Sequence, residues 1–92
     1  MNLPNMIIPK QFPNDQVVNA MKMLQRRAVE QARSVGMKAC YCHGCRLKDS
    51  FTGYVNPEGK LRIGLHFNMG IHTASVWGLL TPYTGEFEML HF

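Results

Sequence analysis

The sequence predicts an α+β fold in which one amphipathic helix packs on an antiparallel β-sheet of four to five strands. An apolar period of about 3.6 residues runs through residues 14–36, and a two-residue period with repeated turn signals follows over residues 38–92. Of the 92 residues, 46% are hydrophobic and 17% are charged, which is enough for one core and too apolar for an intrinsically disordered chain. We therefore expect a single domain over residues 1–92.

Residues 1–13 are predicted to form an extended arm. Prolines punctuate this segment, and a proline fixes its own φ and disfavours helix in the residue before it. The segment has neither the basic start nor the long apolar stretch of a signal peptide, and no run in the sequence reaches the roughly 18–20 apolar residues of a membrane helix. The sequence therefore indicates a cytoplasmic protein.

Residues 14–36 form the predicted helix. Asn14 or Asp15 can serve as its N-cap, and Gly36 follows its last apolar residue, where a left-handed C-cap is expected. An apolar stripe recurs along it at helical spacing: Val17, Met21, Leu24, Ala28, Ala32 and Val35. This stripe should face the core.

A basic stripe is expected on the solvent side of the same helix. Lys22, Arg26 and Arg33 share a narrow face with Val29, at roughly 130° from the apolar stripe. They belong to a basic block over residues 20–48, in which seven Lys and Arg residues stand against Glu30 for a net charge of +6. Such a block favours a polyanionic partner, because binding to phosphates releases counterions. An ordinary solvated basic face is the equal alternative.

The residues predicted to contact a polyanion or partner include the stripe and its basic neighbours. They are Lys22, Arg26, Arg33, Arg46, Lys48, Arg27 and Arg62. Arg27 can instead form an ion pair with Glu30 on the helix surface, and exposed pairs of that kind contribute ~0–1 kcal/mol.

Residues 38–92 read as an antiparallel meander. Strands are predicted at 50–55, 60–67, 71–79 and 86–92, with a further strand at 38–43 as the fifth. In the second strand the apolar residues Leu61, Ile63, Leu65 and Phe67 alternate with Lys60, Arg62, Gly64 and His66. This alternation predicts one buried face and one basic face. The last strand should place Phe87, Met89 and His91 on one face.

A cysteine cluster is the sharpest local feature of the sequence. The two-residue gap between Cys42 and Cys45 lets two thiolates hold one zinc ion, with Cys40 and His43 among the available further donors. No second ligand pair follows at recognisable spacing, and the odd number of cysteines disfavours disulfides. We therefore expect reduced thiols and no cofactor, with a zinc site as the alternative.

The sequence predicts a protein that is not an enzyme. It contains no paired carboxylates, glycine-rich phosphate loop or nucleophile elbow. Four histidines leave a small ribonuclease as one alternative, with a histidine as base and a Lys or Arg stabilising the phosphorane charge. Stacking on RNA bases is a second alternative, because Tyr54 lies near Lys60 and Arg62, whereas Phe67 and Trp77 are expected in the core.

A family resemblance rests on three segments. They are the opening Met-Asn-Leu-Pro-Asn-Met-Ile-Ile-Pro-Lys-Gln-Phe-Pro, the basic helix around residues 22–27, and Cys-Tyr-Cys-His-Gly-Cys-Arg-Leu-Lys at 40–48. On these segments the whole chain resembles the small phage-encoded anti-CRISPR proteins that act on the type I-F (Csy) RNA-guided surveillance complex. That group consists of mostly unrelated small folds without a common catalytic signature, so no site residue is carried over by motif. Many members are acidic DNA mimics, and the net charge of +4 departs from that pattern.

The resemblance implies a protein that binds Cas subunits and the guide RNA backbone and so blocks hybridisation of target DNA. The composition agrees, because interface cores favour aromatic residues, Met and Arg, and contacts to phosphates need not read sequence. We therefore predict a non-enzymatic phage inhibitor of a type I-F CRISPR complex in the bacterial host cytoplasm. The alternatives are a stand-alone basic nucleic-acid-binding regulator, with or without stabilising zinc, and a small ribonuclease toxin.

Overall fold

The computed structural model describes residues 8–38, 49–69 and 72–90 of the chain. One helix precedes four strands: α1 (Asn14–Ser34), β1 (Asp49–Val55), β2 (Leu61–Met69), β3 (His72–Leu80) and β4 (Phe87–Leu90). The strands form one antiparallel sheet in the order β1-β2-β3-β4. The predicted α+β fold, with one helix on an antiparallel sheet, is confirmed with four strands. The further strand predicted at 38–43 lies outside the described residues except for Lys38.

Helix α1 packs across β2 and β3, the two central strands. The residues it buries are Val17, Ala20, Met21, Leu24, Ala28 and Ala32. The predicted apolar stripe is therefore confirmed up to Ala32, with Ala20 added. Val35 was expected to complete the stripe, and that expectation is wrong: it is 62% exposed, because the helix ends at Ser34 and Val35 is already the C-cap residue.

The start of α1 differs from the prediction. Neither Asn14 nor Asp15 caps it; the N-cap residue is Pro13, with φ −58° and no side-chain cap. The carbonyl of Pro13 accepts hydrogen bonds from the amides of Gln16 and Val17, both at 3.1 Å. The helix therefore begins at Asn14, one residue earlier than a cap at Asn14 would place it and two earlier than a cap at Asp15.

Gly36 has the predicted left-handed conformation, although α1 ends at Ser34 rather than at residue 36. Gly36 has φ +86°, and its amide donates to the carbonyl of Arg33 at 3.0 Å. The amide of Met37 donates to the carbonyl of Ala32 at 3.2 Å, and the Met37 side chain packs against the core. These two hydrogen bonds form a Schellman motif, which satisfies carbonyls that the helix leaves without partners.

The sheet supplies the other half of the core. Its buried side chains are Leu61, Ile63, Leu65, Phe67, Val76 and Leu80. The predicted alternation in the second strand is therefore confirmed. The arm contributes Phe12, which is 2% exposed, and Ile8, which packs against the same cluster. Phe87 and Met89 of β4 share one face as predicted, and that face packs on the core, whereas His91 lies outside the described residues.

Candidate nucleic-acid interface

The basic stripe of α1 lies on the side of the helix away from the core. Lys22, Arg26 and Arg33 are all exposed. Val29, expected among them, is instead partly buried and packs against the core cluster, because it lies on the flank where the helix approaches the sheet. The stripe therefore presents Lys22 and Arg26 together and Arg33 about two turns further on. Asp15, also exposed, is the acidic residue of the first helical turn.

Arg27 takes the alternative role that the sequence left open. Its Nη1 lies 3.8 Å from Oε2 of Glu30, and the two side chains are 49% and 61% exposed. At that exposure the ion pair contributes ~0–1 kcal/mol. Beside it, Met23 and Met89 line a depression of 140 Å³ between α1 and β4. Arg27 is therefore oriented by its own helix and remains accessible to solvent.

Arg33 contributes to the stability of α1 as well as to the charge of the basic stripe. It is the basic residue of the last turn, where carbonyl dipoles give the helix end a partial negative charge. Asp15 has the matching position in the first turn, where the partial charge is positive. The charge of Arg33 therefore also stabilises α1, and any test of the stripe has to measure folding stability alongside binding.

Arg62 and Trp77 lie on the sheet face turned away from α1, which we call the open face. It includes Thr52 and Tyr54 of β1, Arg62 and His66 of β2, and Ser75 and Trp77 of β3. Trp77 was expected in the core, and that expectation is wrong. Because side chains alternate along β3, Val76 and Leu80 point to α1, and Trp77 points the other way.

The indole of Trp77 is held between its neighbours on β2. Gly64 pairs with Trp77 across the sheet, and a Cβ at residue 64 would lie 2.6 Å from both Cε3 and Cη2 of the ring. The ring therefore lies across the glycine. The guanidinium carbon of Arg62 lies 4.8 Å from the ring centroid, a cation–π distance. His66 meets the ring edge-on, with centroids 5.3 Å apart and planes at 79°.

His66 forms hydrogen bonds to the strands on both sides of it. Its Nε2 lies 3.0 Å from Oγ1 of Thr52, and its Nδ1 lies 2.7 Å from Oγ of Ser75. These two hydroxyls fix the plane of the imidazole. Beyond His66, a depression of 310 Å³ is lined by Asp49, Ser50, His66, Phe67, Asn68 and Thr73.

Several predicted site residues fall outside the described part of the chain. They are Arg46, Lys48, Cys40, Cys42, Cys45 and His43. Within residues 8–38, 49–69 and 72–90, no group of three or more His, Cys, Asp or Glu side chains is placed to hold a metal ion. The helix found in these same ranges is not apolar enough to span a membrane.

Comparison of the chain with known protein families, curated proteins and solved structures finds no match.

The sequence predicted only some of the residues of the open face. It placed Arg62 and His66 on the polar side of the second strand, and the register confirms that they share a face. It missed Thr52, Ser75 and Trp77 as their neighbours. The glycine at residue 64, at a polar-face position of an otherwise regular strand, was the available signal, since such a glycine often marks close approach by another group.

Proposed function

We propose that this chain is a non-enzymatic phage inhibitor of the type I-F CRISPR surveillance complex. It binds Cas subunits and the guide RNA backbone in the bacterial host cytoplasm, and it thereby blocks hybridisation of target DNA. The observation that carries this proposal is the exposed cationic stripe Lys22, Arg26 and Arg33 on the outer side of α1.

The length of the stripe suits a run of phosphates. From residue 22 to residue 33 the helix rises about 16 Å at 1.5 Å per residue. Successive phosphates of a regular nucleic-acid strand rise about 3.4 Å, so the stripe can follow several of them without reading sequence. Because the opposite side of α1 is buried, the helix presents these side chains on a rigid support.

The experiment measures binding of this protein to purified type I-F complex after reversing the stripe charges. The test variant is Lys22→Glu with Arg26→Glu and Arg33→Glu. The matched control is Lys10→Glu with Lys38→Glu and Lys60→Glu, which makes the same change in net charge, from +4 to −2, away from the stripe. We expect the test variant to bind at least about tenfold more weakly than the control, or 1.4 kcal/mol. Equal binding by the two variants would contradict the assignment.

The same preparation separates the alternative functions. A stand-alone regulator would bind free guide RNA as tightly as it binds the assembled complex, with steep salt dependence. A ribonuclease toxin would cleave that RNA, and exchanging a histidine such as His66 for Ala would abolish the cleavage. The inhibitor should bind the complex far more tightly than free RNA and leave the RNA intact.

A further inference from the structure

We propose that the open face of the sheet is a second binding site, specific for unpaired bases of single-stranded RNA. Tyr54 supplies an exposed ring for stacking, and Arg62 supplies a charge for the adjoining phosphate. The partly buried rings of Trp77 and His66 lie on the same face beside Arg62. This site lies on the opposite side of the sheet from α1, and it does not rest on the proposed inhibitor activity.

The position of Trp77 is fixed by its neighbours before any ligand binds. Gly64 lies beneath the indole, Arg62 lies at 4.8 Å from its centroid, and His66 meets it edge-on at 5.3 Å. Ring surfaces fixed before binding lose little conformational freedom when a base stacks against the cluster. Trp77 is only partly buried on this face, so part of its indole remains accessible to a ligand.

Tyr54 presents an exposed ring beside Arg62. It is 49% exposed and pairs with Arg62 across β1 and β2. A phenol ring and a guanidinium side by side match the chemistry of one nucleotide, since the ring stacks on the base and the cation meets the phosphate. Arg62 lies on the strand between those of Tyr54 and Trp77, so its guanidinium is available beside the Tyr54 ring.

The residues around His66 carry many hydrogen-bonding groups. Thr52 and Ser75 flank His66, and the 310 Å³ depression beyond it adds the exposed polar residues Asn68 and Thr73. Hydroxyl and amide groups both donate and accept, as base edges and the ribose 2′-hydroxyl require. Around His66, this polar content favours RNA over an apolar protein segment as the occupant.

Acidic groups lie at the margins of the site. Asp49 lines the depression. Glu88 of β4 pairs with Leu79 of β3, and Leu79 in turn pairs with Arg62 of β2.

Intrinsic fluorescence tests the proposal directly, because Trp77 is the only tryptophan in the chain. The probe is an oligouridine of about eight nucleotides, which is within the length that single-strand-binding domains cover. We expect saturable quenching of Trp77 at a salt concentration of about 0.15 M. The same oligouridine annealed to oligoadenosine should bind at least about fivefold more weakly, because its bases are already stacked and paired.

Two tyrosine variants provide the matched comparison. Tyr54→Ala removes the proposed stacking ring, and Tyr83→Ala removes a 77% exposed tyrosine from the turn before β4. We expect the first to weaken oligouridine binding at least about fivefold and the second to leave it unchanged. Arg62→Gln should also weaken it, and circular dichroism of all three should match the parent chain.

Other results would overturn the proposal. They are absence of quenching, equal affinity for the duplex, equal losses in the two tyrosine variants, or tighter binding of oligothymidine than of oligouridine. Failure here is distinguishable from failure of the proposed function, because the stripe variants are tested on the assembled complex and the tyrosine variants on a free oligonucleotide.

Discussion

Gly64 determines where the indole of Trp77 lies. We predict that Gly64→Ala lowers the free energy of unfolding by about 1–3 kcal/mol, the usual cost of forcing a group into a packed site. The added Cβ would lie 2.6 Å from two ring atoms, so the indole has to move. Urea denaturation followed by Trp77 emission measures both effects.

Thr73→Ala is the control for that substitution. Thr73 is exposed on β3 of the same sheet face, and its replacement should change stability by no more than about 0.5 kcal/mol. If Gly64→Ala kept both the stability and the emission spectrum of the parent chain, the described position of Trp77 would be wrong.

The residues show why part of the site was predictable from sequence and part was not. Arg62 and His66 alternate with large apolar residues, so their common face follows from the two-residue period of one strand. The stretch containing Trp77 mixes apolar and small residues without clear alternation, and the face then depends on register with β2. The Pro13 N-cap was missed because a polar cap at Asn14 or Asp15 satisfied the same sequence rule.

Helix α1 has a buried and an exposed side that neighbouring residues can test. Leu24 is fully buried, and Met23 is 42% exposed. We predict that Leu24→Ala costs about 2–5 kcal/mol of unfolding free energy through lost burial and a residual cavity. Met23→Ala should cost well under about 1 kcal/mol. Chemical denaturation of both variants measures the difference. Equal losses of unfolding free energy would contradict the described orientation of α1 about its axis.

The C-terminus of α1 depends on the backbone of Gly36. We predict that Gly36→Ala costs about 1 kcal/mol, because φ is +86° and the strain arises in the backbone alone. No heavy atom lies within 4 Å of the added Cβ apart from the immediate chain neighbours. Gly36→Asn should cost less, since asparagine tolerates left-handed geometry. A thermal melt of Gly36→Ala at or above that of the parent chain would contradict the Schellman assignment.

At the scale of the whole molecule, the two layers leave two different outer surfaces. The cationic side of α1 faces one way, and the open face of the sheet, with its aromatic and hydroxyl groups, faces the other. The packing of a helix on a sheet could be predicted from the change of apolar period between residues 14–36 and 38–92. The set of residues on the open face could not be predicted, because it depends on how β1, β2 and β3 pair.

Salt dependence distinguishes these surfaces. Each phosphate contact adds about 0.7 to the slope of log affinity against log salt for a single strand. We predict that reversing Lys22, Arg26 and Arg33 lowers that slope by about 2 for binding to the RNA-guided complex. The same reversal should cost less than about 1 kcal/mol in folding stability, with loss of the favourable Arg33 charge at the helix end as its main cause. An unchanged slope would mean that the stripe contacts no phosphate.

The most direct test of the proposed function is target-DNA binding by purified type I-F surveillance complex, measured with and without this protein in excess. We predict that the parent chain abolishes DNA binding by the complex. DNA binding should be restored when the charges of Lys22, Arg26 and Arg33 are all reversed. The guide RNA should remain intact in both samples. Full DNA binding in the presence of excess parent chain would contradict the inhibitor proposal.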